Sequence, residues 1–142
     1  AKEAKRLGIH LEMVNLVIPG ANDSERCIEE IIDRTKHELG PETPLHFTRY
    51  YPDYRAEEYG LSQITRVETL EWARKRALES GLDYAYVGNV PGHFGENTYC
   101  PRCGALLIER HVFDVLRYTV TKDKRCPQCG SGIRIEGEYV SE

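Results

Sequence analysis

Four cysteines carry the most specific chemistry in this sequence. They stand in two copies of one pattern, Cys100-Pro101-Arg102-Cys103-Gly104 and Cys126-Pro127-Gln128-Cys129-Gly130, with 22 residues between Cys103 and Cys126. In each copy the proline fixes one backbone angle, and the glycine after the second cysteine supplies the positive φ of a tight turn. Amides of such a turn point at the sulfurs and stabilise thiolates. Four thiolates presented by two turns match the tetrahedral preference of Zn²⁺. The gap slightly exceeds the usual window of roughly 15–20 residues between such pairs. A hairpin over 105–125 brings the two knuckles together.

Two alternatives use the same residues. The cysteines can form two disulfides, against which stands the lack of any secretory feature. They can also hold iron, since an S₄ set suits either metal. With Cys100, Cys103, Cys126 and Cys129 all ligating, no coordination position is open, so the site reads as structural, not catalytic.

The elements that position these knuckles belong to a chain of 142 residues with 30% charged residues and a net charge of −4. That composition suits a globular protein and gives no strong attraction to nucleic acid or membrane. Residues 97–142 hold seven Lys/Arg against six Asp/Glu, so the ribbon is not notably basic. No apolar run approaches the roughly 20 residues of a membrane helix, and residues 1–6 lead into no apolar signal segment. A cytoplasmic location is expected. Many Glu, Lys and Arg beside a single Met hint at a thermophile.

Residues 1–7 are good helix formers and Gly8 is a natural stop, but no N-cap precedes them. The chain is therefore expected to begin inside an element, as a fragment would. Residues 9–18 form a strand that becomes continuously apolar, suiting a buried parallel sheet. Asn22, Asp23 and Ser24 are candidate N-caps for a helix to about Leu39, with an apolar stripe of Ile28, Ile31, Ile32, Thr35 and Leu39. Cys27 flanks that stripe and is read as a buried, inert residue. Residues 44–51 form a second strand. Thr65-Arg66-Val67-Glu68 reads as a capping box, starting a helix to Ser80 whose apolar side is Val67, Leu70, Trp72, Ala73 and Leu78. Residues 83–88 form a third strand.

The alternation of helix and strand implies an α/β fold: three parallel strands joined by right-handed crossover helices. Residues 1–95 make this sheet segment, and residues 96–142 a β-rich zinc ribbon with strands over 105–109, 112–121 and 133–140. Three strands are too few to close a barrel, so the outer strands expose edges that a partner or a further segment must cover.

Sheets of this kind bind ligands at the carboxyl ends of their strands. Those ends are the loops 19–24, 49–54 and 88–93. Pro, Gly, Asn and Asp also make turns for their own reasons. His46 reads as a satisfied core histidine, His93 in a glycine-rich loop is of more interest, and His10, His37 and His111 carry no signal. No nucleophile–base motif, phosphate loop, HExxH or CxxxCxxC is present.

The runs Val17-Ile18-Pro19-Gly20-Ala21-Asn22-Asp23-Ser24, Leu45-His46-Phe47-Thr48-Arg49-Tyr50-Tyr51-Pro52-Asp53-Tyr54, Tyr86-Val87-Gly88-Asn89-Val90-Pro91-Gly92 and Glu96-Asn97-Thr98-Tyr99-Cys100-Pro101 resemble the C-terminal half of the AmmeMemoRadiSam-system radical SAM enzymes. These are relatives of pyruvate formate-lyase activating enzyme. The resemblance covers essentially the whole chain. It implies a partial (β/α)₆ barrel whose N-terminal half carries CxxxCxxC for a [4Fe–4S] cluster, which cleaves S-adenosylmethionine to a radical. It further implies that Pro19, Asn22, Arg49, Tyr51 and Asn89 line the SAM pocket, although activating enzymes often carry a histidine where Tyr51 falls.

Lacking the cluster half, the chain is expected to be inactive alone. Its partners would be that N-terminal half or another copy of itself across the sheet edges, and a protein substrate fits the system. A second reading is a stand-alone zinc-ribbon module that binds protein or, through Arg102, Arg110, Arg117, Lys122, Lys124, Arg125 and Arg134, nucleic acid. The near-balanced ribbon charge makes those side chains a solvated surface instead. A third, a hydrolase or transferase on a small sheet, lacks a nucleophile–base set.

Overall fold

The computed structural model describes residues 1–140. The last two residues of the 96–142 segment lie outside the described residues. The chain runs through helix α1 (Lys2–Arg6), strand β1 (Met13–Val17), helix α2 (Glu25–Arg34), strand β2 (Leu45–Arg49), helix α3 (Val67–Glu79) and strand β3 (Ala85–Gly88). It then enters β4 (Thr98–Tyr99), β5 (Leu106–His111) and β6 (Asp114–Tyr118). A π-helical turn (Thr35–Leu39) prolongs α2, and 3₁₀ turns occupy Ala56–Tyr59 and Phe94–Glu96. The expected boundary at residue 95 falls inside the last of these.

β1, β2 and β3 form a parallel sheet in that order. Met13, Leu45 and Ala85 lie in register, as do Val14, His46 and Tyr86. Side chains alternate across a sheet, and here the two faces differ completely. Val17, Leu45, Phe47, Ala85 and Val87 are buried against Ile28 and Ile32 of α2 and Leu70, Ala73 and Ala77 of α3. Each fully buried Leu, Ile or Phe contributes about 1.5–3 kcal/mol by leaving water. The opposite face carries no helix. On it Val14 is 67% and Leu16 41% exposed, beside half-buried His46, Thr48 and Tyr86. Both crossovers therefore wind on one side, as in a barrel wall and unlike a doubly wound sheet.

The second sheet is antiparallel, ordered β4-β5-β6. Its core holds Leu107, Ile108, Val120 and Ile133 together with Cys100 and Cys126. The strand expected over 133–140 does not form. Only an isolated bridge, Arg125 to Gly132, precedes it. Ile133 and Ile135 turn into the ribbon core and Tyr139 stacks on Tyr118 at 4.6 Å, so this segment packs over the hairpin without pairing along its edge.

Side chains join the two sheets. The Tyr86 and Thr98 hydroxyls are 3.0 Å apart. The Arg134 amide donates to Tyr84 Oη at 3.2 Å, and its guanidinium meets Glu42, which also takes Lys5 at 2.7 Å.

Three local expectations are corrected. Thr65 does not cap α3. The helix begins at Val67, with Arg66 as its N-cap and no side-chain cap, because the Thr65 hydroxyl donates to Val17 O and accepts from the Tyr50 amide. Cys27 is exposed, not buried, since it precedes Ile28 by one residue and so lies about 100° round the helix from the core. Leu78, expected on the apolar side of α3, is 36% exposed.

Candidate metal centre and strand-end cleft

The two knuckles fold almost identically. Gly104 and Gly130 both take φ +72°. Their amides donate to the carbonyls of Cys100 and Cys126, each at 2.9 Å. The amides of Cys100 and Cys126 in turn donate to Ala105 and Ser131, each at 2.8 Å. An L side chain is strained at that φ, so the turn requires glycine.

The knuckles face each other. The four Sγ atoms of Cys100, Cys103, Cys126 and Cys129 all lie within 4.8 Å of one another. The facing pairs Cys100–Cys129 and Cys103–Cys126 are 3.6 and 3.7 Å apart. A tetrahedron with metal–sulfur bonds of about 2.3 Å has edges of about 3.8 Å. The donor set therefore fits a metal ion such as zinc.

Electrostatics point the same way. The Ala105 amide favours the Cys103 thiolate, but burial and the sulfurs of Cys129, Cys100 and Cys126 outweigh it and push Cys103 up to about 12. Burial opposes charge on Cys126 too. Amides of Cys129 and Gln128 and the sulfurs of Cys103 and Cys100 bring it down to about 7. Four close thiols cannot all ionise unless a cation balances them, and a bound cation removes the conflict.

The strand-end residues are brought to one edge of the parallel sheet, in two groups. Arg49, Tyr51 and Asn89 form a closed network. Arg49 Nη1 donates to Tyr51 Oη at 3.1 Å, and that hydroxyl donates to Asn89 O at 3.1 Å. Asn89 Nδ2 returns to Arg49 O, also at 3.1 Å. The guanidinium carbon lies 5.1 Å from the Tyr51 ring centroid. Pro19 and Asn22 stand at the end of β1, whose Val17 is in register with Arg49. Asn22 is engaged in its own turn: Oδ1 accepts from the Ile18 amide at 2.6 Å, and Nδ2 donates to Leu16 O at 3.0 Å.

Beside this network, a cleft of about 620 Å³ opens between the uncovered sheet face and the ribbon hairpin. His46, Thr48, Tyr86 and Asn89 form one wall, Arg110 and Phe113 the other. At its end Glu12 Oε2 lies 2.8 Å from His46 Nε2, and Oε1 lies 3.0 Å from His10 Nε2. The bond to His46 is the main cause that holds the Glu12 carboxyl down at about 2. His46 also stacks on Tyr86 at 4.8 Å. Burial pushes the Tyr86 phenol up. His93 lies outside this cleft lining: its Nδ1 accepts from the Gly95 amide and its Nε2 meets Glu71 at 3.1 Å.

Reading His46 as a core residue missed the cleft. The signal was its parity, since His46 sits between two residues of the buried face, Leu45 and Phe47, and must point to the other. Glu12 and Arg110 left no such trace.

No helix among the described residues is long and apolar enough to cross a membrane. No family model matches the chain, and no solved structure matches it. Over 135 residues the chain is 51% identical to uncharacterized protein MJ0808 of Methanocaldococcus jannaschii. The match covers 94% of this chain and 40% of that protein, so the chain spans about two fifths of its relative's length.

Proposed function

We propose that this chain is the C-terminal portion of a radical SAM enzyme related to the activating enzymes, supplying the last strands of a partial barrel and a structural zinc ribbon. The observation that carries the reading is the one-sided sheet. Three parallel strands pack both crossover helices on one face and leave Val14, Leu16, His46, Thr48 and Tyr86 on the other. Such a face suits the inside of a barrel wall whose remaining strands come from elsewhere. The longer relative is consistent with that source. In this reading the Arg49–Tyr51–Asn89 network and the neighbouring Pro19 turn border the SAM pocket. The iron–sulfur cluster belongs to the other half, so the chain alone has no activity.

The zinc assignment rests on the four clustered sulfurs, two of whose separations, 3.6 and 3.7 Å, approach the edge of a tetrahedral site. A zinc held there keeps β4 and β5 in place against Tyr86. The ribbon arginines support this over nucleic-acid binding, because two of them are engaged with the protein itself. Arg125 is bound to Gly130 O and Arg134 to Glu42.

The test uses the full-length Methanocaldococcus jannaschii relative, reconstituted with iron and sulfide without oxygen. A [4Fe–4S] absorbance and reductive formation of 5′-deoxyadenosine from SAM are expected, with neither from the present chain alone. A full-length protein that holds no cluster and leaves SAM intact overturns the reading. Elemental analysis of the present chain is expected to return one zinc, and stoichiometric iron would displace that assignment.

A further inference from the structure

The cleft is lined by two carboxylates, Glu12 and Glu96, and one guanidinium, Arg110. Both of its carboxylates are engaged. Glu12 meets two imidazoles, and Glu96 Oε2 accepts from the amides of Gly92 at 3.0 Å and Val112 at 3.3 Å. The guanidinium of half-buried Arg110 keeps free donors. Its Nη1 donates to Glu96 O at 3.1 Å and Thr98 Oγ1 at 2.7 Å. Its Nε and Nη2 make no hydrogen bond, and no carboxylate pairs with it, among the described residues. Arginine without an acidic partner in a cleft is a ready receptor for a planar or tetrahedral oxyanion.

The other groups define what accompanies the anion. Ionised Glu12 can only accept hydrogen bonds, so His46 Nε2 donates to it, and His46 Nδ1 makes no hydrogen bond among the described residues. Thr48 and Asn89 add short polar groups, and Phe113, 95% exposed at the hairpin tip, adds an apolar edge. The volume falls in the range of small-molecule sites, roughly 300–1,000 Å³.

We propose that this cleft binds a small oxyanion-bearing molecule, a carboxylate or phosphate compound with an apolar body, with the free donors of Arg110 as the anion receptor and His46 Nδ1 as a second polar contact. Glu12 acts as the positioning residue that fixes the His46 ring. The cleft shares Tyr51 and Asn89 with the network placed beside the SAM pocket, but the titration below contains neither a cluster nor SAM, so the two readings fail on different readouts.

The experiment is a titration of the isotope-labelled, metal-loaded chain with benzoate and, separately, inorganic phosphate, following the His46 ring and Arg110 Nε–H by NMR. Saturable shifts at both residues with either probe are expected, and the stronger binder tells which oxyanion the cleft prefers. Arg110→Gln should weaken binding about tenfold, the loss of a charged hydrogen bond, and Arg110→Lys should restore part of it. Thermal melting of each variant controls for folding. If Arg110→Gln does not fold, Thr48→Val and His46→Gln supply the comparison, with weaker binding expected in each. Absence of saturable shifts with both probes, or undiminished binding in the folded variants, overturns the proposal.

Discussion

The hydroxyls of Tyr86 and Thr98 meet at 3.0 Å, and through them the parallel sheet is tied to the ribbon two residues before Cys100, the first cysteine of the cluster. Thr98 is 3% exposed and its hydroxyl also accepts from Arg110 Nη1. Removing the phenol oxygen leaves Thr98 satisfied by Arg110. Tyr86→Phe is therefore expected to cost only about 1 kcal/mol. Chemical denaturation measures it, and a loss beyond about 3 kcal/mol would mean that the bridge carries more than one hydrogen bond.

The cysteine cluster gives the largest expected effect. Cys103→Ser or Cys126→Ser should abolish stoichiometric metal and melt the ribbon, because a structural zinc site supplies folding free energy of about 10–16 kcal/mol in small modules. Removing metal with a chelator should do the same to the parent chain. Near-identical melting with and without chelator would refute a structural metal.

Thr65 offers a direct contrast between two roles. Its buried hydroxyl joins Val17 O to the Tyr50 amide, tying the ends of β1 and β2. Thr65→Val keeps the shape and leaves both backbone groups unpaired, at about 1–3 kcal/mol. Thr65→Ser should be milder. Glu68→Ala should change little, since no capping box exists to lose. A larger cost at Glu68 than at Thr65 would reverse this assignment.

Acid sensitivity should trace to Glu12. Its carboxyl is lowered from 4.5 to about 2 by His46 and His10. A depressed folded pKa means that the stabilisation is complete above about 4.5 and disappears as the pH falls toward 2. The Glu12 side chain is 46% exposed, so solvent screening keeps the contribution small. Glu12→Gln should flatten the stability curve in that window relative to the parent, measured by denaturation at matched pH. Parallel curves for the two proteins would remove Glu12 as the cause.

Much of the parallel sheet was legible because its signals are local. The apolar runs through Val17, Leu45 and Val87, the Ser24 cap and the Gly81 stop each specify an element from a few residues. The cysteine cluster was legible for the same reason, as each knuckle encodes its own turn. What escaped depends on pairing across long separations. Thr65 serves two strands that lie 15 and 48 residues away, and a capping motif looks the same whether its hydroxyl turns to the helix or to them. Ile133 and Ile135 have strand character, yet the ribbon core draws them inward and Gly137, at φ +79°, bends the chain away. The cleft joins Glu12, His46 and Arg110 from three separate stretches, and only the folded sheet shows that they share a face.

The near-identity of the two knuckles has a bearing on how the four-sulfur cluster is assembled. Each turn is closed by its own short-range hydrogen bonds, so each can form as a two-sulfur pincer before the other is near. A metal ion can then be captured by one pincer and handed the second pair when the 22-residue loop between them closes, a closure that costs about 3 kcal/mol of chain entropy. For a metal ion held by all four sulfurs, assembly by halves would give exchange a stepwise path, since opening one pincer would release two bonds while the other kept hold of the ion.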